Sequence, residues 1–461
     1  MPHARGIDES TEALLRDAAE RSLRYLGSLG ERRVSPSPAA IDALARFHEP
    51  FPAAPSDPRE TLRVLDELGS PGTMAMAGPR FFGFVIGGSL PVTVGANWLA
   101  AAWDQNAGLY EPTPAAAVIE EVALAWLIDL LGLPPETGAG FVTGATVANL
   151  SCLAAARHAV LARAGWDVEG EGLAGAPPIT VVVGDEVHPT LLKSLGLLGL
   201  GRRRVVRVPV DGQGRMRADA LPRFEGPTIV CTQAGNVNTG AIDPLADLIP
   251  RAHEAGAWVH VDGAFGLWAA ASPRLRPLVA GLALADSWAT DAHKWLNVPY
   301  DSGLAFVRDV HALRAAMAIT ADYLPTETTR RNPSDHTPEL SRRARGIEVW
   351  AALRSLGRAG VADLIERTCR HARRFADALK AAGFEILAEV PLNQVLVSFG
   401  APAETDRVIA GIQAEGTLWA GATVWQGRRA MRISVSSWAT TEADVERSVE
   451  AIVRVANGKQ R

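Results

Sequence analysis

Apolar positions along the chain predict a helical N-terminal segment that leads into a longer region of mixed structure. Between residues 8 and 30 the apolar side chains recur at helical spacing, with Leu14, Leu15 and Leu26 on one stripe. A Pro- and Ala-rich stretch follows at 36–58, and a second helical pattern runs from 60 to 68. Short helices cannot bury their own apolar faces, so we expect this arm to pack on a larger body or a second subunit.

From about residue 115 to 310, helical patterns alternate with short apolar segments, which is typical of a mostly parallel sheet with crossover helices. The predicted strands are 179–183, 205–208, 228–231, 258–261, 287–289 and 304–307. The predicted helices are 115–131, 147–163, 189–197 and 244–255. Beyond about 349 the pattern predicts a helix to 382, strands near 385–387, 395–398 and 431–435, and a last helix at 442–456.

These patterns indicate an α/β protein of three parts. We predict an N-terminal helical arm with a substrate-side segment at 1–95, a large α/β domain at 96–348, and a small C-terminal α+β domain at 349–461. A chain of 461 residues exceeds what one compact core usually supports, which agrees with this division.

Composition narrows the class of partner. The chain is 48% hydrophobic, and its net charge of -5 gives no electrostatic case for nucleic acid or an anionic membrane, so a small molecule is expected. Cys152, Cys231 and Cys369 are too few and too scattered for a disulfide framework or a metal cluster, and we interpret them as core thiols. With neither a signal-type segment nor a run of about 18 apolar residues, the protein is expected to be cytosolic.

A carboxylate and a lysine each follow a predicted strand. The strand at 258–261 leads to Asp262, and the strand at 287–289 leads to Lys294. Ligand sites in open α/β sheets lie beyond the carboxyl ends of strands. Alone, such an Asp is often a turn former and such a Lys is usually solvated. Together they supply what pyridoxal 5'-phosphate (PLP) needs, an amine for its aldehyde carbon and a carboxylate for its pyridinium nitrogen.

Three other segments offer contacts to PLP. Gly144, Ala145 and Thr146 precede a helical pattern, where backbone N–H groups bind phosphate. The alternative is that the threonine only caps the N-terminus of this helix. His188 follows the strand at 179–183 and is placed to stack on the ring; a capping or surface role is the alternative. Asn236 follows the strand at 228–231 and is placed to bond the cofactor, or it belongs to a polar turn.

Together, Asp262-Gly263-Ala264, His293-Lys294-Trp295 and the preceding His188 resemble the PLP-dependent group II amino-acid decarboxylases, which include the aromatic-amino-acid, histidine and glutamate decarboxylases. The resemblance covers nearly the full length. Residues 78–82, Gly-Pro-Arg-Phe-Phe, resemble the family's His-Pro-x-Phe-Phe motif on the substrate side. The resemblance implies the aspartate-aminotransferase fold (fold type I) and a homodimer with its active site at the subunit interface.

The resemblance also implies a role for each matching residue. Lys294 would hold PLP as a Schiff base, Asp262 would bond the pyridine nitrogen, and Ala264 would lie under the ring with His188 above it. The phosphate would be approached by Gly144, Ala145, Thr146 and His293. Asn236 stands where the family often has a hydroxyl residue near the cofactor.

Two departures from the family pattern concern chemistry. Family members that act on aromatic amino acids carry a loop tyrosine that protonates Cα, but residues 326–340 contain none, and Tyr323 lies too early. We take His336 as the candidate proton donor because imidazole titrates in the right range; a solvated loop histidine is the alternative. Asp291 and Ala292 replace the usual Asn-Pro, and the role of Asp291 stays open because an acid near a phosphate is costly.

Aromatic residues of the N-terminal side predict the substrate class. Phe81, Phe82, Phe84, Trp98, Trp103 and Tyr110 cluster in the segment that resembles the family's substrate wall. We take Phe82, Phe84 and Trp103 as substrate-binding, with Arg432 as the site for the substrate carboxylate. Core or dimer packing is the alternative for the aromatics, and a surface position for Arg432.

The predicted function is decarboxylation of an L-amino acid, with an aromatic or apolar side chain favoured, to an amine and CO₂. Other PLP chemistry on the same fold remains the first alternative, namely an aminotransferase, an aldehyde-forming oxidative decarboxylase or a carbon–carbon lyase. The second is a PLP-binding protein without catalysis.

Overall fold

A seven-stranded sheet forms the centre of the large α/β part in the computed structural model, which describes residues 7–319 and 330–458. Its strand order is β1-β7-β6-β5-β4-β2-β3. Strand β7 runs antiparallel to both neighbours, and the other pairs are parallel. The strands are β1 Gly138–Val142, β2 Thr180–Gly184, β3 Val206–Val208, β4 Thr228–Gln233, β5 Trp258–Asp262, β6 Ser287–Asp291 and β7 Gly303–Val307. The predicted fold class is confirmed.

A second sheet of four antiparallel strands, in the order β10-β11-β9-β8, lies in the C-terminal part. Its strands are β8 Glu385–Ile386, β9 Gln394–Ser398, β10 Gly421–Trp425 and β11 Arg428–Ser434. The helices of the described residues are α1 Glu9–Ser28, α2 Pro38–Ala43, α3 Pro58–Val64, α4 Ser70–Gly72, α5 Pro91–Trp103, α6 Pro114–Leu131, α7 Ala145–Arg163, α8 Val168–Glu171, α9 Pro189–Leu197, α10 Leu245–Glu254, α11 Val310–Met317, α12 Gly346–Ala381, α13 Pro402–Glu415 and α14 Glu442–Ala456.

Helix α7 is the core helix of the large sheet. It packs on β5, β6 and β7 and carries eleven buried residues. Length and composition alone would let it cross a membrane, but 61% of its apolar window is buried inside the fold. Its apolar character therefore reflects packing on the sheet.

Helix α12 connects the two parts of the molecule. It contacts α5 and α6 at one end and β9 and α14 at the other, with a non-helical residue at Gly357 (φ 59°, ψ 179°). The positive φ at this position favours glycine, because other residues rarely adopt it. The predicted division between residues 348 and 349 falls in the first turn of α12, and the division itself stays a prediction.

The N-terminal arm is tied to the C-terminal part by a buried arginine. Arg80 is 2% exposed, donates to the carbonyl of Thr417 at 2.9 Å and pairs with Asp444 of α14 at 2.9 Å. Helix α1, by contrast, buries none of its residues within one chain. The arm thus has its own attachment to the body, while Leu15 and Leu23 of α1 stay exposed.

Candidate active site

The carboxyl ends of β5 and β6 bring Asp262 and Lys294 to one place. Asp262 is the last residue of β5, and Lys294 lies three residues beyond the end of β6, which is the parallel neighbour of β5. Asp262 is 4% exposed and the Lys294 side chain 20% exposed. The charge of Lys294 acts on the Asp262 carboxyl. The structure therefore brings together the two residues that the strand pattern singled out.

The Asp262 carboxylate is held by two donors. Oδ1 accepts the backbone N–H of Ala264 at 3.2 Å, and Oδ2 accepts the side-chain amide of Asn149 at 3.1 Å. Burial raises the pKa of Asp262, and the nearby His188 and Lys294 oppose that rise. A buried acid whose pKa is raised in this way is suited to share a proton with a ring nitrogen.

His188 both caps a helix and belongs to this group. Its Nδ1 lies 2.6 Å from Oγ1 of Thr190 and accepts the Thr190 N–H at 3.3 Å, at the start of α9. Burial lowers its pKa, and the charges of Asp262 and Lys294 act on it. The capping role is thus a fact of the structure, and the ring stands beside the Asp262 and Lys294 side chains as well.

Gly144, Ala145 and Thr146, which we predicted to approach the phosphate, lie at the start of α7. Gly144 is the N-cap and no side chain of its own caps the helix, so the threonine N-cap alternative does not apply. A Cβ at Gly144 would lie 3.2 Å from Cε1 of His293 and 3.4 Å from Oδ1 of Asp291. The helix end is therefore kept open by a small residue next to His293.

Asp291 occupies a position between the lysine and this helix end. Its Oδ2 lies 2.9 Å from Nζ of Lys294, its Oδ1 accepts the N–H of Ala145 at 2.5 Å, and Nε2 of His293 is 3.5 Å away. The residue is 2% exposed. A buried carboxylate is stabilised here by the ammonium group and by the N-terminal end of the helix dipole.

Arg432 of β11 contributes a cation without a partner in the described part of the chain, residues 7–319 and 330–458. Burial lowers its pKa, and its charge lowers the pKa of His188, so the guanidinium lies on the His188 side of the site. An unpaired, half-buried guanidinium is costly unless an anion reaches it. A substrate carboxylate meets that requirement.

Three further predicted residues make contacts of their own. Phe82 is 1% exposed and packs edge-on against Phe375 at 5.0 Å in the small-domain core, which is the core role left open by the sequence. Asn236 bonds the N–H groups of Asn238 and Thr239 through its Oδ1, as a polar turn does.

His336 is the third of these residues. Its 3₁₀ turn packs on β1, where the His336 carbonyl would lie 2.5 Å from a Cβ at Gly140. The charges that act on it are those of Arg331, Arg314 and Arg342, and burial lowers its pKa to about 3. A neutral imidazole among arginines is unsuited to donate a proton at neutral pH, so the geometry argues against our proton-donor hypothesis. Tyr323 lies outside the described residues, as do the other residues of 320–329.

For Phe84 and Trp103, which are exposed, substrate binding and dimer packing both stay open as interpretations. Phe84 is 59% exposed and stacks on Trp419 at 5.3 Å, and Trp103 is 46% exposed at the end of α5. Sequence reasoning missed Tyr300, whose ring stacks on His293 at 4.1 Å. Its proximity to His293 in the chain was the available signal.

These residues fit PLP. A lysine and a buried acid stand at adjacent strand ends, and a helix N-terminus is opened by a glycine against which His293 lies. The chemistry of the set is that of an amine, a partner for a pyridine nitrogen and donors for a phosphate. Asp291 is the one member that an incoming phosphate would meet as a like charge.

Comparison with known proteins agrees with this geometry. Residues 49–401 match the family model described as the pyridoxal-dependent decarboxylase conserved domain, and the chain belongs to that family. It is 28% identical to tryptophan decarboxylase 1 of Oryza sativa subsp. japonica over 96% of this chain and 93% of that one. It is 29% identical to an aromatic-L-amino-acid decarboxylase of Bacillus atrophaeus over 76% and 73% of the two chains.

Among solved structures, the Oryza sativa TDC with PLP and tryptamine superposes with a TM-score of 0.89 at 24% identity, over 100% of both chains, which shows a shared fold. The protein is a PLP-dependent carboxy-lyase that acts on an amino acid.

Proposed function

We propose that the protein converts an L-amino acid with an aromatic or apolar side chain into its amine and CO₂. The observation that carries this proposal is the placement of Lys294 and the buried Asp262 at adjacent strand ends. The relatives named above act, by name, on tryptophan or aromatic L-amino acids, which supports the substrate class.

Each residue of the site has a proposed task. Lys294 bonds the cofactor, Asp262 holds the proton of its ring nitrogen, and Ala264 and His188 enclose the ring. Gly144, Ala145, Thr146 and His293 hold the phosphate. Bound PLP supplies an electron sink for the bond that breaks at the substrate Cα. Arg432 fixes the substrate carboxylate, and this orientation selects the bond to be cleaved.

For the proton that replaces CO₂ at Cα we propose a donor other than His336, whose pKa burial lowers to about 3. Among the described residues, Lys294 and His188 are the titratable nitrogen groups next to Asp262. Nζ of Lys294 also forms an ion pair with the Asp291 carboxylate at 2.9 Å, which holds the amine close to the site in its proton-bearing form. We assign Lys294 as the donor that the described geometry favours.

We further propose a homodimer with its active site at the subunit interface. Helix α1 exposes Leu15 (56%) and Leu23 (59%), and α5 exposes Trp98 (42%), Leu99 (54%) and Trp103 (46%). Large apolar residues that are exposed on two helices in this way are typical of an interface. Light scattering after size exclusion should give twice the monomer mass of 48.9 kDa, and a monomer would overturn this proposal.

The cytosol is the proposed compartment. All three cysteines are free and buried, which suits a reducing environment. Fractionation of cells with the protein tagged at its C-terminus tests this, and recovery from a membrane or secreted fraction would contradict it.

A panel of amino acids tests the reaction. Purified protein is saturated with PLP and incubated with tryptophan, phenylalanine, tyrosine, leucine, glutamate and lysine, while CO₂, amine, aldehyde and keto acid are measured. The proposal expects CO₂ and amine in equal amounts, fastest with the aromatic or apolar substrates. Aldehyde with ammonia and hydrogen peroxide would favour the oxidative alternative, which the absence of tyrosine from 326–340 motivates. Keto acid without CO₂ would indicate an aminotransferase.

A further inference from the structure

A chain of buried hydrogen bonds runs from the Asp262 carboxylate away from the site. Asn149 of α7 lies 3.1 Å from Asp262, His260 lies 2.9 Å from Asn149, and Ser287 lies 3.0 Å from His260. The indole of Trp258 ends the chain, 2.9 Å from the Ser287 hydroxyl. All five side chains are at most 4% exposed.

The fold explains how these side chains meet. Trp258, His260 and Asp262 alternate along β5, so their side chains share the face that α7 covers. Ser287 is the β6 residue in register with His260, and Asn149 lies in the second turn of α7. Three neighbouring elements thus contribute to one continuous line.

The direction of every bond in this line follows from the donor and acceptor inventory. The Trp258 N–H can only donate, so the Ser287 oxygen accepts it, and the Ser287 hydroxyl hydrogen is left free to be donated to Nδ1 of His260. At the other end the carboxylate only accepts, so Asn149 donates through Nδ2 and turns Oδ1 to His260. His260 must therefore carry its hydrogen on Nε2. Burial lowers the pKa of His260 to about 3, so the ring is neutral and this tautomer is consistent.

We propose that Asn149 and His260 are positioning residues, which with Ser287 and Trp258 form a one-way relay that keeps Asp262 ionised and aimed at the ring nitrogen of PLP. A donor to the charged form of a carboxylate lowers its basicity. With the Asn149 amide locked, the shared proton stays on the ring nitrogen. Without the hydrogen bond from Asn149, Asp262 is more basic and draws that proton away, so the ring becomes a weaker electron sink.

Other groups near Asp262 do not replace this donor. The titratable side chains that act on Asp262 or feel its charge are His188 before α9, Lys294 after β6, and the buried thiols Cys152 and Cys231. The Asn149 amide is the one side chain, among those described, that donates a hydrogen bond to Asp262.

The inference rests on the proposed roles of Lys294 and Asp262, but its test does not require turnover. The holoprotein of Asn149→Leu is titrated with pH while the visible absorption of the Lys294-bound cofactor is followed. We expect the midpoint to move upward by about one unit, because loss of positive charge on the ring makes the attached Lys294 nitrogen more basic. Where the wild type turns over, kcat should fall about tenfold, as one pKa unit implies, with KM nearly constant.

Two controls separate the relay from packing. Cys152→Ala, one turn further along α7, removes another buried side chain that donates to backbone carbonyls but not to Asp262, and it should leave the midpoint unchanged. His260→Gln retains a donor near the Nε2 position, whereas His260→Leu has none, so Gln should restore most of the wild-type midpoint and Leu should not.

The proposal is overturned if Asn149→Leu titrates like the wild type, if Cys152→Ala shifts the midpoint equally, or if the two His260 variants agree. A wild type that carries PLP at Lys294 but decarboxylates no amino acid would contradict the proposed function, while the absorption titration still decides the relay.

Discussion

The carboxylate of Asp291 accepts the backbone N–H of Ala145, the first residue of α7, at 2.5 Å. The same carboxylate pairs with Lys294 at 2.9 Å. Asp291 therefore stabilises two groups that we propose as contacts of PLP, the lysine amine and the helix end that would face the phosphate.

Asp291→Asn should consequently bind PLP more tightly. The substitution removes a negative charge that repels the phosphate and abolishes an ion pair that favours the cofactor-free protein. We expect the Kd for PLP to fall about tenfold, or ~1.4 kcal/mol. Fluorescence or absorbance titration of apoprotein measures it. Asp129→Asn, which removes an exposed acid paired with Arg358, is the matched control. Weaker binding in Asp291→Asn would show that the carboxylate supports the cofactor instead.

Lys294→Ala should abolish covalent attachment of PLP. The sequence contains four lysines, Lys193, Lys294, Lys380 and Lys459, so borohydride reduction followed by peptide mapping identifies the modified one without ambiguity. Lys193→Ala, an exposed substitution on α9, should retain the tagged Lys294 peptide. Labelling of any other lysine in the wild type would refute the assignment of Lys294.

Arg432→Gln should weaken substrate binding selectively. Loss of a half-buried charged partner for a carboxylate costs ~2 kcal/mol, so KM should rise by about thirtyfold while the Kd for PLP stays constant. Arg429→Gln, on the same strand but paired with Asp406 at the surface, serves as the control. An unchanged KM would exclude Arg432 from the carboxylate site.

The buried histidines predict loss of stability in acid. Burial lowers the pKa of His260 and of His336 to about 3, whereas an unfolded histidine titrates near 6.5. The unfolded state therefore binds more protons below about pH 6.5, and stability falls as pH falls. Between pH 7 and pH 5 each residue should cost about 2 kcal/mol.

Urea denaturation of wild type and His336→Gln at the two pH values measures this effect. The variant should lose less stability between pH 7 and pH 5 than the wild type does. Equal losses would show that His336 does not stay neutral in the folded protein.

Glu120→Gln should destabilise the fold. Glu120 is 1% exposed and pairs with Arg342 at 2.7 Å and with Arg331 at 3.0 Å. It therefore holds residues 331 and 342, the two ends of one segment, against α6. Removing its charge leaves a buried Arg342 without its counter-ion, at a cost of ~3–5 kcal/mol. Thermal unfolding should show a clear drop in Tm relative to Glu121→Gln, an exposed neighbour, and an equal Tm would contradict this account.

The pattern of the chain predicted the central sheet well, because strands buried on both faces are continuous apolar runs. It did not predict β1, whose Gly138 and Gly140 are small to admit Val310 and the His336 carbonyl, a requirement set by distant residues. It also did not predict α5, α13 or β10. Strand β10 alternates exposed and half-buried residues at an edge of the small sheet, where apolar periodicity is weak.

The sequence by itself determined that Lys294 and Asp262 come together, because residues at the ends of neighbouring parallel strands meet at one edge of a sheet. Tertiary structure alone decided the surroundings of those residues. It placed Phe82 in a core and His336 among arginines, and it joined Asn149 to His260 and Asp291 to Ala145. These contacts depend on how α7 packs across the sheet, and local spacing carries no information about side chains that meet from distant parts of the chain.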